Sequence, residues 1–116
     1  LPAGKVESID RASKIVRGDW VIASANSFFG HVYKAGRGAV LEFDFTGERL
    51  ALLSTDLTAS EFDVYVDGVK VDSLNIRGDE GGFMEVSYLS PVLESGEHKV
   101  SIRCYGSANF DSVVSW

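Results

Sequence analysis

The sequence predicts an all-β fold, a sandwich or barrel of antiparallel strands. Apolar and polar residues alternate with a period of two along much of the chain, and glycine-containing turn signals separate the alternating runs. Helical periodicity is almost absent, and the stretch that could hold a helical turn, 6–14, has no apolar stripe. Many short strands divided by regular turn signals are typical of sandwiches and barrels rather than of βαβ folds.

Alternation assigns faces to the predicted strands. Segments 41–45, 62–67 and 99–105 each place apolar residues at every second position. Successive side chains of a strand point to opposite faces, so each segment has one buried face and one solvent-exposed face. Segment 49–53 is more uniformly apolar, which predicts that both faces of this strand are buried. The residues that this alternation predicts in the core are Leu41, Phe43, Phe45, Phe62, Val64, Val66, Val100, Ile102 and Cys104.

Turn chemistry divides the alternating segments. Asp67-Gly68 stands between two of them, and this pair is the strongest short-range signal for a two-residue hairpin, because the turn needs positive φ. Gly47 separates two further strands, and 78–82 is a glycine-rich loop. Alternation and turns together predict up to ten strands, near 13–17, 19–24, 31–34, 38–46, 48–54, 61–67, 69–76, 83–89, 97–105 and 110–116.

The length of 116 residues fits one domain. We expect that domain over 13–116, with 1–12 as a linker from an upstream region or as an edge strand. Because the chain starts at Leu1 without an initiator methionine, we also expect it to be cut from a longer protein.

Charge and composition exclude some partners. A net charge of −6 and scattered Lys and Arg residues disfavour nucleic acid and anionic membrane surfaces, which both require clustered positive charge. No apolar run approaches the roughly 20 residues of a membrane-spanning helix. Cys104 is the only cysteine, so no internal disulfide can form.

The order of four segments resembles a known family. Segment 17–20 (RGDW) looks like an early glycine-x-tryptophan strand, and segment 38–47 is similar to a strand that ends in Phe-x-Gly. Segment 64–68 looks like a V-x-V-D-G hairpin, and segment 93–100 resembles an L-x-x-G-x-H-x-V pattern at the start of a strand. This pattern resembles the galactose-binding-like jelly-roll modules attached to carbohydrate-active enzymes, in particular the non-catalytic β-sandwich before the hydrolase domain of some GDSL/SGNH-type carbohydrate esterases. The resemblance implies a jelly roll of two antiparallel sheets, extracellular or at the cell surface, often beside a catalytic domain.

The chain shows no catalytic motif, so we expect no enzyme activity from the domain alone. There is no Gly-x-Ser-x-Gly elbow, and Glu80 follows Gly78-Asp79 where a GDS-type nucleophile requires serine. The histidines are His31 and His98; His98 opens a strand and is expected to pin a turn. An unrecognised active site stays open as an alternative, and it would need a cleft with perturbed titratable groups.

Carbohydrate recognition is the favoured function, since sugar rings stack their apolar faces on aromatic side chains while polar groups fix the hydroxyls. Tyr105 lies on the polar face of its strand, before a loop with hydrogen-bonding side chains. The predicted ligand contacts are Tyr33, Tyr105, Asn109, His31 and Asp79. Tyr65 also points outward, with cross-strand packing as the alternative explanation.

Calcium is the one cofactor that the resemblance implies, because related jelly rolls often hold it with loop carboxylates and carbonyls. Asp79 and Glu80 of the glycine-rich loop are the candidate ligands, and a solvated loop is the alternative. The expected partner is a carbohydrate or a neighbouring domain of the same polypeptide. A purely structural role in a surface layer, appendage or virion would instead show as an exposed apolar patch, expected around Phe28, Phe29 and Phe83.

Overall fold

Twelve strands and no helix make up the part of the chain that the structure, a computed structural model, describes: residues 6–8, 14–18, 20–24, 31–54, 60–76 and 85–116. The strands are β1 (Val6–Ser8), β2 (Lys14–Arg17), β3 (Trp20–Ser24), β4 (His31–Ala35), β5 (Val40–Thr46), β6 (Leu50–Ser54), β7 (Ser60–Val66), β8 (Val69–Ile76), β9 (Glu85–Leu89), β10 (Glu97–Cys104), β11 (Ala108–Phe110) and β12 (Ser112–Ser115). The predicted all-β class is therefore confirmed.

All strand pairs are antiparallel, and they form two layers. One layer is the five-stranded sheet β2-β5-β10-β7-β8. The other contains the four-stranded sheet β1-β12-β6-β9 and the three-stranded sheet β11-β4-β3. Asp111 joins β11 to β12, and its N–H donates to the carbonyl of Leu53 at 2.9 Å, so the chain passes from one sheet to the next at this residue.

Strand limits differ from the sequence prediction in two places. The stretch 6–14, for which a helical turn, a linker and an edge strand were considered, contains β1, which is not among the ten predicted strands and pairs with β12 at the edge of the four-stranded sheet. The strand expected over 110–116 is interrupted at Asp111, because β11 pairs with β4 while β12 pairs with β6 and β1.

The core between the layers contains the whole set that alternation predicted. Each of those side chains is at most 5% exposed, from Val64 and Ile102 at 0% to Val66 at 5%. Phe62 and Phe110 meet edge to face with ring centroids 5.2 Å apart, and the partly buried Trp20 packs against this cluster. In 49–53, Leu50, Ala51 and Leu52 are buried and the flanking residues are half-buried, so cover on both faces is largely confirmed.

The β7–β8 hairpin turns at Asp67-Gly68 as predicted. Both residues have positive φ, 51° for Asp67 and 84° for Gly68. This is the conformation that a two-residue primed turn requires.

Gly18 is a position where only glycine fits. Its φ is +89°, and a Cβ there would lie 2.5 Å from the Cα of Ala39. We expect Gly18→Ala to cost about 1–3 kcal/mol from backbone strain, with the overlap adding to it. Gly36→Ala is the matched control, since nothing lies within 4 Å of its added Cβ and its φ is not positive. Urea denaturation measures both variants, and equal midpoints for the two would contradict this account.

Candidate ligand-binding site

Several strand ends meet at one end of the sandwich. Ser54 at the end of β6 pairs with Glu85 at the start of β9, and Ser60 at the start of β7 pairs with Ile76 at the end of β8. The end of β10 joins them, because the amide of Tyr105 donates to the carbonyl of Glu61 at 3.1 Å. We call this region the loop end.

Among the predicted contact residues whose side chains are described, Tyr105 lies at the surface of the loop end. It is 39% exposed, and its hydroxyl donates to the carbonyl of Leu74 at 2.6 Å. That hydrogen bond restricts the ring, so one aromatic side chain is held in place with part of its surface open to solvent.

Asn109 lies beneath the surface, with 8% of the residue exposed. It sits on β11 opposite Lys34 of β4, and its carbonyl accepts a hydrogen bond from the Ser54 hydroxyl at 2.7 Å. The Ser54 and Ser87 hydroxyls are 2.9 Å apart, so a buried polar layer fixes β11 against β6 and β9.

The other predicted contacts are placed only in part. His31 and Tyr33 both lie on β4, where Tyr33 pairs with Phe110, next to Asn109. Only their backbone is described. Asp79 and Glu80 lie outside the described residues, as do Phe28, Phe29 and Phe83. Tyr33 and Asn109 therefore lie on adjacent strands, and Tyr105 precedes Asn109 by four residues in the sequence. The expected calcium ligands lie outside the described residues.

Asp111 is a polar residue of this region that the sequence reasoning did not single out. It is 1% exposed, and among the described residues neither carboxylate oxygen has a hydrogen-bond partner. Burying an unpaired carboxylate is costly, and a bound cation removes that cost. Within the described ranges no three His, Cys, Asp or Glu side chains gather as a metal cluster. Asp111 could supply one carboxylate ligand only to a site completed by other oxygens.

The remaining candidates have structural explanations. The Cys104 thiol is buried, as the alternation predicted, and burial raises its pKa to about 12. The Arg103 guanidinium lies 4.1 Å from the ring centroid of Tyr65, which is the cross-strand packing considered for that tyrosine. The ring of His98 contacts Asp67 and the carbonyl of Glu94, so the prediction that it pins a turn is confirmed.

Comparison with solved structures identifies the architecture. The CsCBM6-3 module of Clostridium stercorarium, solved in complex with cellobiose, superposes with a TM-score of 0.63 at 10% identity, over 97% of this chain and 93% of the module. This is a galactose-binding-like jelly roll. The resemblance inferred from the sequence is therefore confirmed at the level of the fold.

The same jelly roll occurs inside larger proteins. A family two carbohydrate esterase from Cellvibrio japonicus matches with a TM-score of 0.60 at 19% identity, over 94% of this chain and 32% of the esterase. The 4-O-methyl-α-glucuronidase BtGH115A, described as specific for decorated arabinogalactans, matches with a TM-score of 0.63 at 14% identity, over 96% of this chain and 17% of that one. This chain thus spans about a third of the esterase and about a sixth of the glucuronidase.

No family model matches the sequence, and no curated protein matches it. In the part of the chain that the structure describes, no helix is long and apolar enough to cross a membrane.

Proposed function

We propose that this jelly roll is a non-catalytic carbohydrate-binding accessory module of a larger, extracellular or surface-displayed carbohydrate-active protein. The observation that carries the proposal is the match to CsCBM6-3 along almost the full length of both chains, because that module was solved with a bound oligosaccharide. The esterase and the glucuronidase support the accessory role, since each contains the same jelly roll as a minor part of its chain.

The proposed binding site is at the loop end, with Tyr105 as its aromatic platform. Tyr33, His31, Asn109 and Asp79 are the polar and aromatic partners in this proposal. A small open site of this kind binds weakly, because few contacts offset the cost of ordering the ligand.

Tyr105→Ala should weaken binding of any glycan that the domain recognises. A screen on a glycan array, with and without calcium, finds the ligand, and isothermal calorimetry then compares variants. We expect a roughly two- to twelvefold loss of affinity for Tyr105→Ala, since a stacking aromatic platform contributes about 0.5–1.5 kcal/mol. Tyr65→Ala is the matched control, because this tyrosine lies on the outer face of the five-stranded sheet beneath Arg103.

Two outcomes would contradict the proposal. If a folded sample binds nothing on the array with or without calcium, the proposed carbohydrate-binding function is wrong. If the Tyr105→Ala variant and the wild type bind the glycan with equal affinity, the loop end is not the binding site.

A structural role is the second candidate, and exposed apolar side chains favour it. Val86 and Leu89 on the edge strand β9 are 56% and 47% exposed, and Val92 just after it is 69% exposed. Exposed apolar side chains on an edge strand suit contact with a neighbouring domain or a second copy. Light scattering after size exclusion separates the candidates, because a stable oligomer favours assembly and a monomer that binds glycans favours the accessory module.

A further inference from the structure

Both ring nitrogens of His98 face hydrogen-bond acceptors. Nδ1 lies 2.7 Å from Oδ2 of Asp67, and Nε2 lies 2.6 Å from the backbone carbonyl oxygen of Glu94. A carbonyl oxygen and a carboxylate accept and cannot donate, so each nitrogen must carry a hydrogen to make its bond. A neutral imidazole has one N–H, and this geometry therefore requires the imidazolium form.

We propose that protonated His98 is a pH-sensitive clamp that holds the turn at Glu94–Gly96 against the β7–β8 hairpin and releases it in alkaline solution. This inference goes beyond the proposed function, because it depends on no ligand.

The clamp joins turns at the end of the sandwich opposite the loop end. Asp67 accepts from His98 through Oδ2 and from the Lys99 amide through Oδ1, at 2.9 Å. The carbonyl of Gly96 accepts from the amide of Gly47 at 2.9 Å, which ties the turn at Glu94–Gly96 to the β5–β6 connection. Loss of one His98 hydrogen bond therefore loosens contacts among connections that are distant in sequence.

The His98 ring is mostly buried, in a groove lined by charged groups. The His98 side chain is only 10% exposed and lies against Phe45 of β5, with ring centroids 5.3 Å apart. The charged and titratable groups lining the groove around it are Asp44 of β5, Asp67 of the hairpin, and Glu97 and Lys99 of β10; Glu94 precedes the turn.

Both members of the pair have shifted pKa values. The hydrogen bond to Asp67, followed by that to Glu94, raises the pKa of His98 above its ordinary 6.5, while partial burial opposes the shift. The hydrogen bond from the Lys99 amide, followed by that from His98, lowers the pKa of Asp67 below its ordinary 3.8.

The sign of the pH dependence follows from these directions. Because the pKa of His98 is raised in the folded state, protonation of His98 stabilises the fold. This stabilisation is complete below pH 6.5 and is lost as the pH rises through the pKa of the folded state. A lowered aspartate pKa stabilises above pH 3.8 and loses its effect as the pH falls through the folded value. The clamp therefore contributes most to the stability of the fold between pH 3.8 and 6.5. The contribution is modest, because the Asp67 side chain is 52% exposed and solvent screens its charge.

The test combines an NMR titration of the His98 ring with thermal melts between pH 5 and 9. We expect the ring to titrate above 6.5 and the melting temperature of the wild type to fall by about 2–6 °C from pH 6 to pH 9. His98→Gln should remove most of this fall, because glutamine does not titrate. Lys99→Gln is the control that should retain it, since the Lys99 contact to Asp67 uses the backbone amide.

Either of two results would overturn the clamp: a His98 ring that titrates at or below 6.5, or equal pH dependence in the wild type and the His98→Gln variant. If His98→Gln does not fold, Asp67→Asn replaces it, and the fall should again shrink while the His98 pKa moves down towards its ordinary value. An unchanged fall and an unchanged His98 pKa in Asp67→Asn would equally overturn it.

Discussion

Phe62→Ala is expected to destabilise the domain by about 3–5 kcal/mol, a large part of the stability of a domain of this size. Phe62 is completely buried, and its ring meets Phe110 and Tyr88 edge to face, at centroid distances of 5.2 and 6.5 Å. Truncation leaves a cavity where β7, β9 and β11 meet and removes both aromatic contacts. The free energy lost by no longer burying the ring and the free energy lost with the two aromatic pairs therefore add together. Urea denaturation at 25 °C measures the loss.

Two controls separate the cavity from unrelated effects. Phe62→Leu keeps most of the volume and should cost about 1–2 kcal/mol. Asn75→Ala, at an exposed position of the adjoining strand β8, should stay within about 0.5 kcal/mol. A Phe62→Ala variant no less stable than Phe62→Leu would show that the core does not depend on this aromatic contact.

Calcium is expected to raise the melting temperature of the domain, and Asp111 is expected to be required for the effect. We propose Asp111 as a ligand of the calcium ion that the jelly-roll resemblance implies, because its buried carboxylate has no hydrogen-bond partner in the part of the chain that the structure describes. At a calcium concentration one hundred times the Kd, binding to the folded state adds about 2.7 kcal/mol, which corresponds to several degrees. Thermal melts in calcium and in EDTA measure the shift.

Asp111→Asn gives this prediction a sharp control. Asparagine is nearly isosteric but uncharged, so the calcium-dependent shift should vanish, whereas in EDTA the variant should be at least as stable as the wild type because a buried charge has been removed. Asp79→Asn combined with Glu80→Gln tests the ligands expected from the sequence, which should weaken calcium binding if the glycine-rich loop contributes. A wild type that melts at the same temperature in calcium and EDTA would contradict the calcium site.

Local patterns were sufficient to predict the core and the hairpin. The period-two alternation of 62–67 and 99–105 fixed the inward set, because a strand in a two-layer fold has only two faces. Asp67-Gly68 predicted its turn because few residue pairs adopt positive φ at both central positions.

The burial of Asp111 escaped the same reasoning for a physical reason. Phe110 and Val113 are both fully buried although three positions separate them, so alternation is broken where β11 ends and β12 begins. The break depends on the pairing of β11 with β4 and of β12 with β6, which are contacts between distant segments. The alternation could place Tyr105 on a solvent-exposed face. It could not show that the Tyr105 hydroxyl reaches the carbonyl of Leu74, because that contact also joins segments distant in sequence.

The most direct test of the carbohydrate-binding site is an NMR titration of the ¹⁵N-labelled domain with millimolar cello-, xylo- and galacto-oligosaccharides in the presence of calcium. Amide shifts detect the weak affinities expected of a small open site and also locate it. Our account predicts saturable shifts at the loop end, from Tyr105 to Asp111 and on β4, with the amides around His98 unmoved. Saturable shifts confined to another surface, or no shift with any of the sugars, would contradict it.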